Sequence, residues 1–306
     1  MKLQIPEFFD KTPFRVTPDK DKVIVLNTHE HKITGLVKAE LYTSDFPRVT
    51  GNEIAENESG GTAAAGIYRY CDNKFSVCFP ASLEPGECSV FRIVSGSGAK
   101  SSPYNDTVKT SEGEFYHITA CDNGTLIISD KRTGSMFFEM PTFILSNAPA
   151  DNGFTYKTEV FGTHASVIRH SSAVHTVFSS IIPLYIPDNK NELKVISQVL
   201  HGKEAPELLF YTEYGSLPEG MTLTLRLPTG LAYPSFSVDE ALPVAPETYG
   251  NHLDIAESLT LSGEEGVQFK AAFDERISAS VSCDGNIDIV LPANRYGSFG
   301  YTISIN

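Results

Sequence analysis

The sequence predicts an all-β fold, with a small β-sandwich followed by a larger β unit. Three observations carry that expectation. Runs of β-branched and alternating apolar residues recur along the chain. Gly, Pro, Asn and Asp clusters punctuate them at short intervals. No stretch carries a sustained helical apolar stripe bounded by capping residues.

In chain order, Val23–Leu26, Gly35–Tyr42, Phe75–Phe79 and Ser89–Val94 read as strands of the first unit. Ser95-Gly-Ser-Gly-Ala-Lys-Ser-Ser-Pro103 then breaks the composition and reads as a linker. It divides the chain into residues 1–105, the small sandwich, and residues 106–306, the larger all-β unit. In the larger unit, Phe115–Ala120 and Leu126–Ile128 flank Asp122-Asn-Gly124. These turn residues tolerate positive φ, so the segment predicts a hairpin. Asn191–Val199 fits a helix by period and a strand by its Val and Ile content. Leu208–Tyr211, Thr222–Leu227 and Ile287–Leu291 follow as strands, and Met221–Pro228 alternates strictly, with Thr222, Thr224 and Arg226 on its polar face. Glu240–Ser258 is polar and Pro-rich and reads as a long connection.

The 306 residues are 41% hydrophobic and 20% charged, enough apolar material for packed cores. Lys and Arg number 24 against 38 Asp and Glu, a formal charge of −14. Such a surface repels phosphate backbones and anionic lipid heads, which excludes nucleic acid and membrane surfaces as partners and leaves neutral sugars. No apolar run approaches the roughly 20 residues of a membrane helix. The N-terminus lacks a signal-peptide core, and the five cysteines form no CxxC pair. Reduced thiols in a cytoplasmic protein are expected.

Few motifs carry chemistry. His29 and His31 have a spacing that metals use, but with no third ligand nearby they read as a polar hairpin tip. His164, His170 and His175 match neither helical pairing nor strict alternation, and are expected as exposed or partly paired strand histidines. No Gly-x-Ser-x-Gly elbow and no phosphate-cradling loop occur. No catalytic residue and no metal ligand are assigned to this chain. The segment Phe210-Tyr-Thr-Glu-Tyr-Gly215 offers aromatic faces for sugar C–H surfaces and an acid for hydroxyls. With Leu217–Gly220 as a turn, Tyr211, Glu213 and Arg226 would lie on paired strands, with Tyr233 on the same rim. The other reading of these four residues is an ordinary sandwich edge.

The stretch from Glu112 to Gly134, Glu-Gly-Glu-Phe-Tyr-His-Ile-Thr-Ala-Cys-Asp-Asn-Gly-Thr-Leu-Ile-Ile-Ser-Asp-Lys-Arg-Thr-Gly, resembles the opening of the large β-domain of glycoside hydrolase family 38, the α-mannosidases. Val23–Asn27 with Leu36–Leu41, Phe79–Arg92, Leu208–Glu213 and Leu223–Leu231 resemble further family segments in the same order. The resemblance implies a small β-sandwich followed by a galactose-mutarotase-like supersandwich, which buttresses an α/β-barrel catalytic domain and completes the site for a mannose-type glycoside. The family's zinc-binding His-His-Asp motif is absent here. Zinc and the nucleophile are therefore expected in the catalytic domain, with no cofactor in this chain and no hydrolysis by it alone.

Docking on a barrel would require an exposed aromatic patch. Phe8, Phe9 and Phe14 are its expected contributors, with Tyr211, Tyr233 and Phe236 as candidates on the sugar-facing rim, and such a patch would also favour homo-oligomers. Two alternatives stand beside this reading. One is a stand-alone carbohydrate-binding protein. The other is a mutarotase- or epimerase-like enzyme on the same fold, with a His acid and a Glu base.

Overall fold

The computed structural model describes residues 5–42, 44, 52–71, 73–95, 110–121, 126–134, 136–139, 142–147, 157–160, 166–185, 192–217, 219–239, 249–292 and 297–305. The fold is all-β. Among these residues the helical turns are two 3-10 segments, Glu7–Asp10 and Glu264–Gly266. No helix among them is long and apolar enough to cross a membrane.

Seven antiparallel strands come first: β1 (Arg15–Asp19), β2 (Lys22–Leu26), β3 (Ile33–Tyr42), β4 (Glu53–Asn57), β5 (Thr62–Cys71), β6 (Lys74–Leu83) and β7 (Cys88–Ser95). They lie in the order β1-β2-β7-β4-β5-β6-β3. The beginning of β5 pairs with β4 and its end with β6, and the register slips between Ile67 and Arg69. That bulge lets one sheet fold over on itself as a sandwich. Val23, Val25, Val37, Phe75, Val77, Phe79 and Phe91 fill the interior. Asn27 is fully buried after β2, where its amide donates to the carbonyls of His31, Leu83 and Glu84 and so fixes the turn into β3.

The remaining strands are β8 (Thr110–Glu112), β9 (Tyr116–Ala120), β10 (Leu126–Asp130), β11 (Met136–Glu139), β12 (Thr142–Asn147), β13 (Lys157–Val160), β14 (Ser166–Ser171), β15 (His175–Tyr185), β16 (Glu192–Gly202), β17 (Glu207–Tyr214), β18 (Met221–Pro228), β19 (Ser235–Val238), β20 (Leu253–Ile255), β21 (Ser258–Ser262), β22 (Gln268–Phe273), β23 (Ile277–Val281), β24 (Asn286–Val290) and β25 (Gly297–Ile305). A six-stranded sheet runs β13-β12-β18-β24-β23-β20, and an eight-stranded sheet runs β14-β15-β16-β17-β25-β22-β21-β19. Their inner faces share one core. Leu223, Leu225, Leu227, Ile287 and Ile289 come from the first, and Phe210, Phe269, Phe299, Tyr301 and Ile303 from the second. Phe210 and Tyr301 face each other across the strands and stack with ring centroids 5.0 Å apart. The small sheet β11-β10-β9-β8 adds Tyr116, Ile118 and Ile128 to this core.

The predicted β9–β10 hairpin forms, pairing Ala120 with Leu126, while its tip lies outside the described residues. Asn191–Val199 resolves as strand: from residue 192 on it belongs to β16, which pairs on both sides. Glu240–Ser258 is not wholly a connection, because β20 lies within it and pairs with β23. The expected β17–β18 hairpin does not form. β17 lies between β16 and β25, and β18 between β12 and β24, so the chain crosses from one layer to the other between them. The partner that takes the second edge of β17 comes from the C-terminal end of the chain, and no local pattern announces it.

The first sandwich seats on the outer face of the eight-stranded sheet. Phe9, Leu36, Tyr68 and Cys78 pack against Val174, Val177, Leu200, Ala205 and Leu209. The surfaces meet backbone to side chain: a Cβ on Gly66 would stand 2.9 Å from His175 Nδ1, and one on Gly202 would overlap Leu36. The expected aromatic patch is therefore not a patch. Phe9 is fully buried in this junction, Phe14 lies in the first core and Phe236 in the second. Phe8 is half-buried against Tyr211. His175, expected near the surface, is fully buried, with Nδ1 3.0 Å from Ser172 Oγ and 3.3 Å from Cys78 Sγ.

A second buried histidine, His201 on β16, anchors the β8 region. Its Nδ1 lies 2.8 Å from Ser111 Oγ, and the Ser111 hydroxyl donates to Thr176 Oγ1 at 2.9 Å. Its Nε2 has no partner among the described residues and faces Gly113, where a Cβ would come within 2.6 Å. Burial pushes its pKa down to about 4 from the ordinary 6.5, so the folded protein holds a neutral ring. The unfolded chain takes up a proton near 6.5. This contribution to stability is therefore full above that pH and is lost as the pH falls toward 4, by roughly 3 kcal/mol. Urea unfolding of the wild-type protein and a His201→Gln variant across pH 4–7 checks this. The variant should show the shallower pH dependence, and equal slopes would contradict it.

Candidate functional site

Two polar faces bring sequence-predicted residues to the surface, on opposite sides of the large sandwich. Alternation along β17 turns Phe210 into the core and Leu209, Tyr211 and Glu213 outward. The register aligns Gln198, Tyr211 and Gly300 in one row and Ile196, Glu213 and Ser298 in the next. Gln198 is buried and its amide donates to Ser179 Oγ at 2.9 Å. Burial moves the pKa of the Tyr211 hydroxyl up, and the Glu213 carboxylate adds to that direction. The Tyr211 ring packs against Phe8, with centroids 6.0 Å apart. Lys11 lies over the Phe8 ring and pairs with Asp274. The aromatic face expected for a sugar is thus engaged by the protein's own N-terminal turn, and Tyr211 is a packing residue of the junction.

The second face is the outer surface of the six-stranded sheet. On β18 the apolar members of the alternation go inward, leaving Thr224 and Arg226 outward. Asp288 sits directly opposite Arg226 on β24. The pair is bidentate, with Nε to Oδ1 at 2.7 Å and Nη2 to Oδ2 at 2.8 Å. Both side chains are about a quarter exposed (24% and 27%), so the pair is sheltered but reachable. Around it Ser146, Thr224, His252, Ser278 and Ser280 line a groove of about 260 Å³. Ser278 Oγ lies 3.0 Å from His252 Nδ1, which ties the β20 side of the groove to β23.

The chemistry of this groove follows from its donors and acceptors. The hydroxyls can each give and accept, and the Asp288 carboxylate can accept from a ligand. The pair is neutral as a unit, so the groove suits a neutral polyol better than an ion. Asp288 is the one carboxylate among its described lining residues. Glycoside cleavage ordinarily uses two carboxyl groups across the scissile bond, so these residues can grip a sugar but do not provide that acid–base pair.

The four predicted site residues therefore do not converge. Tyr211 and Glu213 share one sheet, and Arg226 lies on the other. Tyr233 is 76% exposed on the turn after β18, at φ +48°, and its N–H donates to the Cys283 carbonyl. His29 and His31 lie between β2 and β3 with ring centroids 5.6 Å apart, and no group of three metal-ligating side chains occurs among the described residues. His164 and the side chain of His170 lie outside the described residues. Asp288, His252, Ser278 and Ser280 were missed. Asp288 is signalled by the alternation Asn-Ile-Asp-Ile-Val of β24, but its meeting with Arg226 needs a pairing across 62 residues.

No protein-family model matches the chain, and no curated protein matches it significantly. Solved structures do. An alpha-mannosidase from Enterococcus faecalis V583 aligns with 95% of this chain at a TM-score of 0.68 and 14% identity. A protein of Glycosyl Hydrolase Family 38 from Enterococcus faecalis aligns with 94% of it at 0.68 and 15% identity. The chain spans only 43% and 45% of those two proteins, less than half the length of each. Over nearly its whole length, this chain shares its fold with part of each of them.

Proposed function

We propose that this chain is the β region of an α-mannosidase-like glycoside hydrolase. It would comprise a small sandwich over residues 1–105 and a supersandwich of the galactose-mutarotase type over residues 106–306. Its work is to support an α/β-barrel catalytic domain and to complete the site for a mannose-type glycoside. The observation that carries the reading is the match of 95% of the chain to less than half of an alpha-mannosidase. Hydrolysis, and the zinc it uses in the family, belong in this reading to the catalytic domain. The free thiols of Cys78, Cys88, Cys121 and Cys283 support a cytoplasmic setting.

Within this reading the Arg226–Asp288 groove is the surface that grips sugar hydroxyls, because it is polar, neutral and recessed. A second reading, a stand-alone carbohydrate-binding protein, draws on the same groove. A mutarotase-like enzyme draws no support from His175 or His201, both fully buried.

Two measurements test the proposal. The purified chain with added zinc should release no nitrophenol from an aryl α-mannoside, and metal-dependent release would overturn the placement of catalysis elsewhere. Titration with methyl α-mannoside, followed by amide NMR, should shift Thr224, Arg226, Ser280 and Asp288, with a Kd on the order of millimolar. Arg226→Lys keeps the charge but loses the planar fork, and should weaken binding about fivefold while lowering stability by no more than about 1–2 kcal/mol. Shifts confined to the Tyr211 face, or unchanged binding in the variant, would contradict the groove assignment.

A further inference from the structure

Strand β3 is buried on both faces. Val37, Ala39 and Leu41 point into the first core, and Leu36 points into the junction with the eight-stranded sheet. The next residue on the junction face is Lys38, which is 5% exposed. It makes no hydrogen bond and no ion pair with the described residues. Asp10 and Glu207 attract it without reaching it, Lys11 opposes it, and its cross-strand neighbour Cys78 is a buried thiol whose pKa burial pushes up to about 12. An ammonium in so sheltered a place, with no partner among the described residues, is costly. A chain that needed only packing here would place Leu or Met.

Beside Lys38 lies a cavity of about 160 Å³. Its walls are Leu36, Leu200, Leu209 and Pro13, while Thr34, Lys11 and Glu207 also line it. Glu207 and Thr34 are exposed, which sets them at the mouth. Cavities near 150 Å³ with apolar walls accept molecules the size of benzene. One unpaired cation inside an apolar chamber calls for one negative charge carried on an apolar body, and the carboxylate of Glu207 disfavours a second. We propose that this junction cavity is a binding site for a small monocarboxylate with a short aliphatic or aromatic body, its carboxylate held by the Lys38 ammonium. Burial lowers the Lys38 pKa to about 8, which leaves the amine mostly cationic at neutral pH. The site lies at the first sandwich's seat on the eight-stranded sheet and does not depend on the sugar groove.

The test is thermal unfolding of the whole chain at pH 7 with sodium butyrate against butyramide, at matched ionic strength. Butyrate at ten times its Kd should raise the wild-type midpoint by about 2–4 °C, and butyramide, of the same shape but uncharged, should not. Lys38→Met keeps the volume and removes the charge. It should abolish the butyrate response while leaving the unliganded midpoint equal or higher, because an unpaired buried charge is gone. Thr34→Tyr closes the exposed mouth with Lys38 intact and should also lose the response, which keeps the test decisive if the first variant does not fold. No butyrate response in the wild-type protein, an equal response to butyramide, or a response retained in either variant would overturn the site.

Discussion

Phe9 and Leu36 on one side, with Gly202 and Leu209 on the other, form the contact on which the arrangement of this molecule depends. The outer face of the eight-stranded sheet would otherwise present Val177, Leu200 and Leu209 to water. Covering it with the folded-over sheet of the first sandwich removes that apolar surface, and complete burial of a side chain such as Phe9 contributes roughly 1.5–3 kcal/mol. The close approach is possible because Gly66, Gly202 and Gly300 leave room for His175, Leu36 and Phe8. A side chain at any of the three would hold the layers apart, so the glycines act here through absent volume and not through unusual backbone angles.

Several features follow from that contact. It buries His175 and Cys78, occupies the face of Tyr211 with Phe8, and encloses the chamber beside Lys38. It also decides which surface of the large sandwich can serve a ligand. The eight-stranded sheet gives its outer face to the first sandwich around β15–β17. The six-stranded sheet keeps a recessed polar strip on its own outer face, where Arg226 and Asp288 neutralise each other among hydroxyls. Within the proposed function, a reading built on Tyr211 would place the sugar where the protein is already packed, and one built on Arg226 would place it in the sheltered groove of the opposite sheet.

How much of this was legible in the sequence depended on whether a strand has one wet face. β2, β9, β18 and β24 alternate, and their residues point as the pattern says. β16 is covered on both faces, so Val195, Val199 and Leu200 blur its period and Asn191–Val199 looked as much helix as strand. Long-range pairing was not legible at all. Arg226 meets Asp288, and Tyr211 meets Gly300, through strands distant in the chain, whereas local reading joined β17 to β18 by their short connection. Phe8 and Phe9 looked like an exposed lead-in because nothing in Glu-Phe-Phe-Asp says that a second sheet lies beneath it. Lys38 was invisible for the opposite reason, since a lysine in an apolar run ordinarily marks a solvent-facing position.

The account rests on the junction joining both sandwiches into one cooperative body. Hydrogen exchange of the native protein under rising urea tests that most directly. If the junction holds as described, amides of β3 and β6 and those of β15–β17 share the same opening free energy, and Phe9→Ala lowers both by the same amount. If β1–β7 instead lose protection at low urea while β15–β17 remain fully protected, the two sandwiches fold independently and the account of their coupling is wrong.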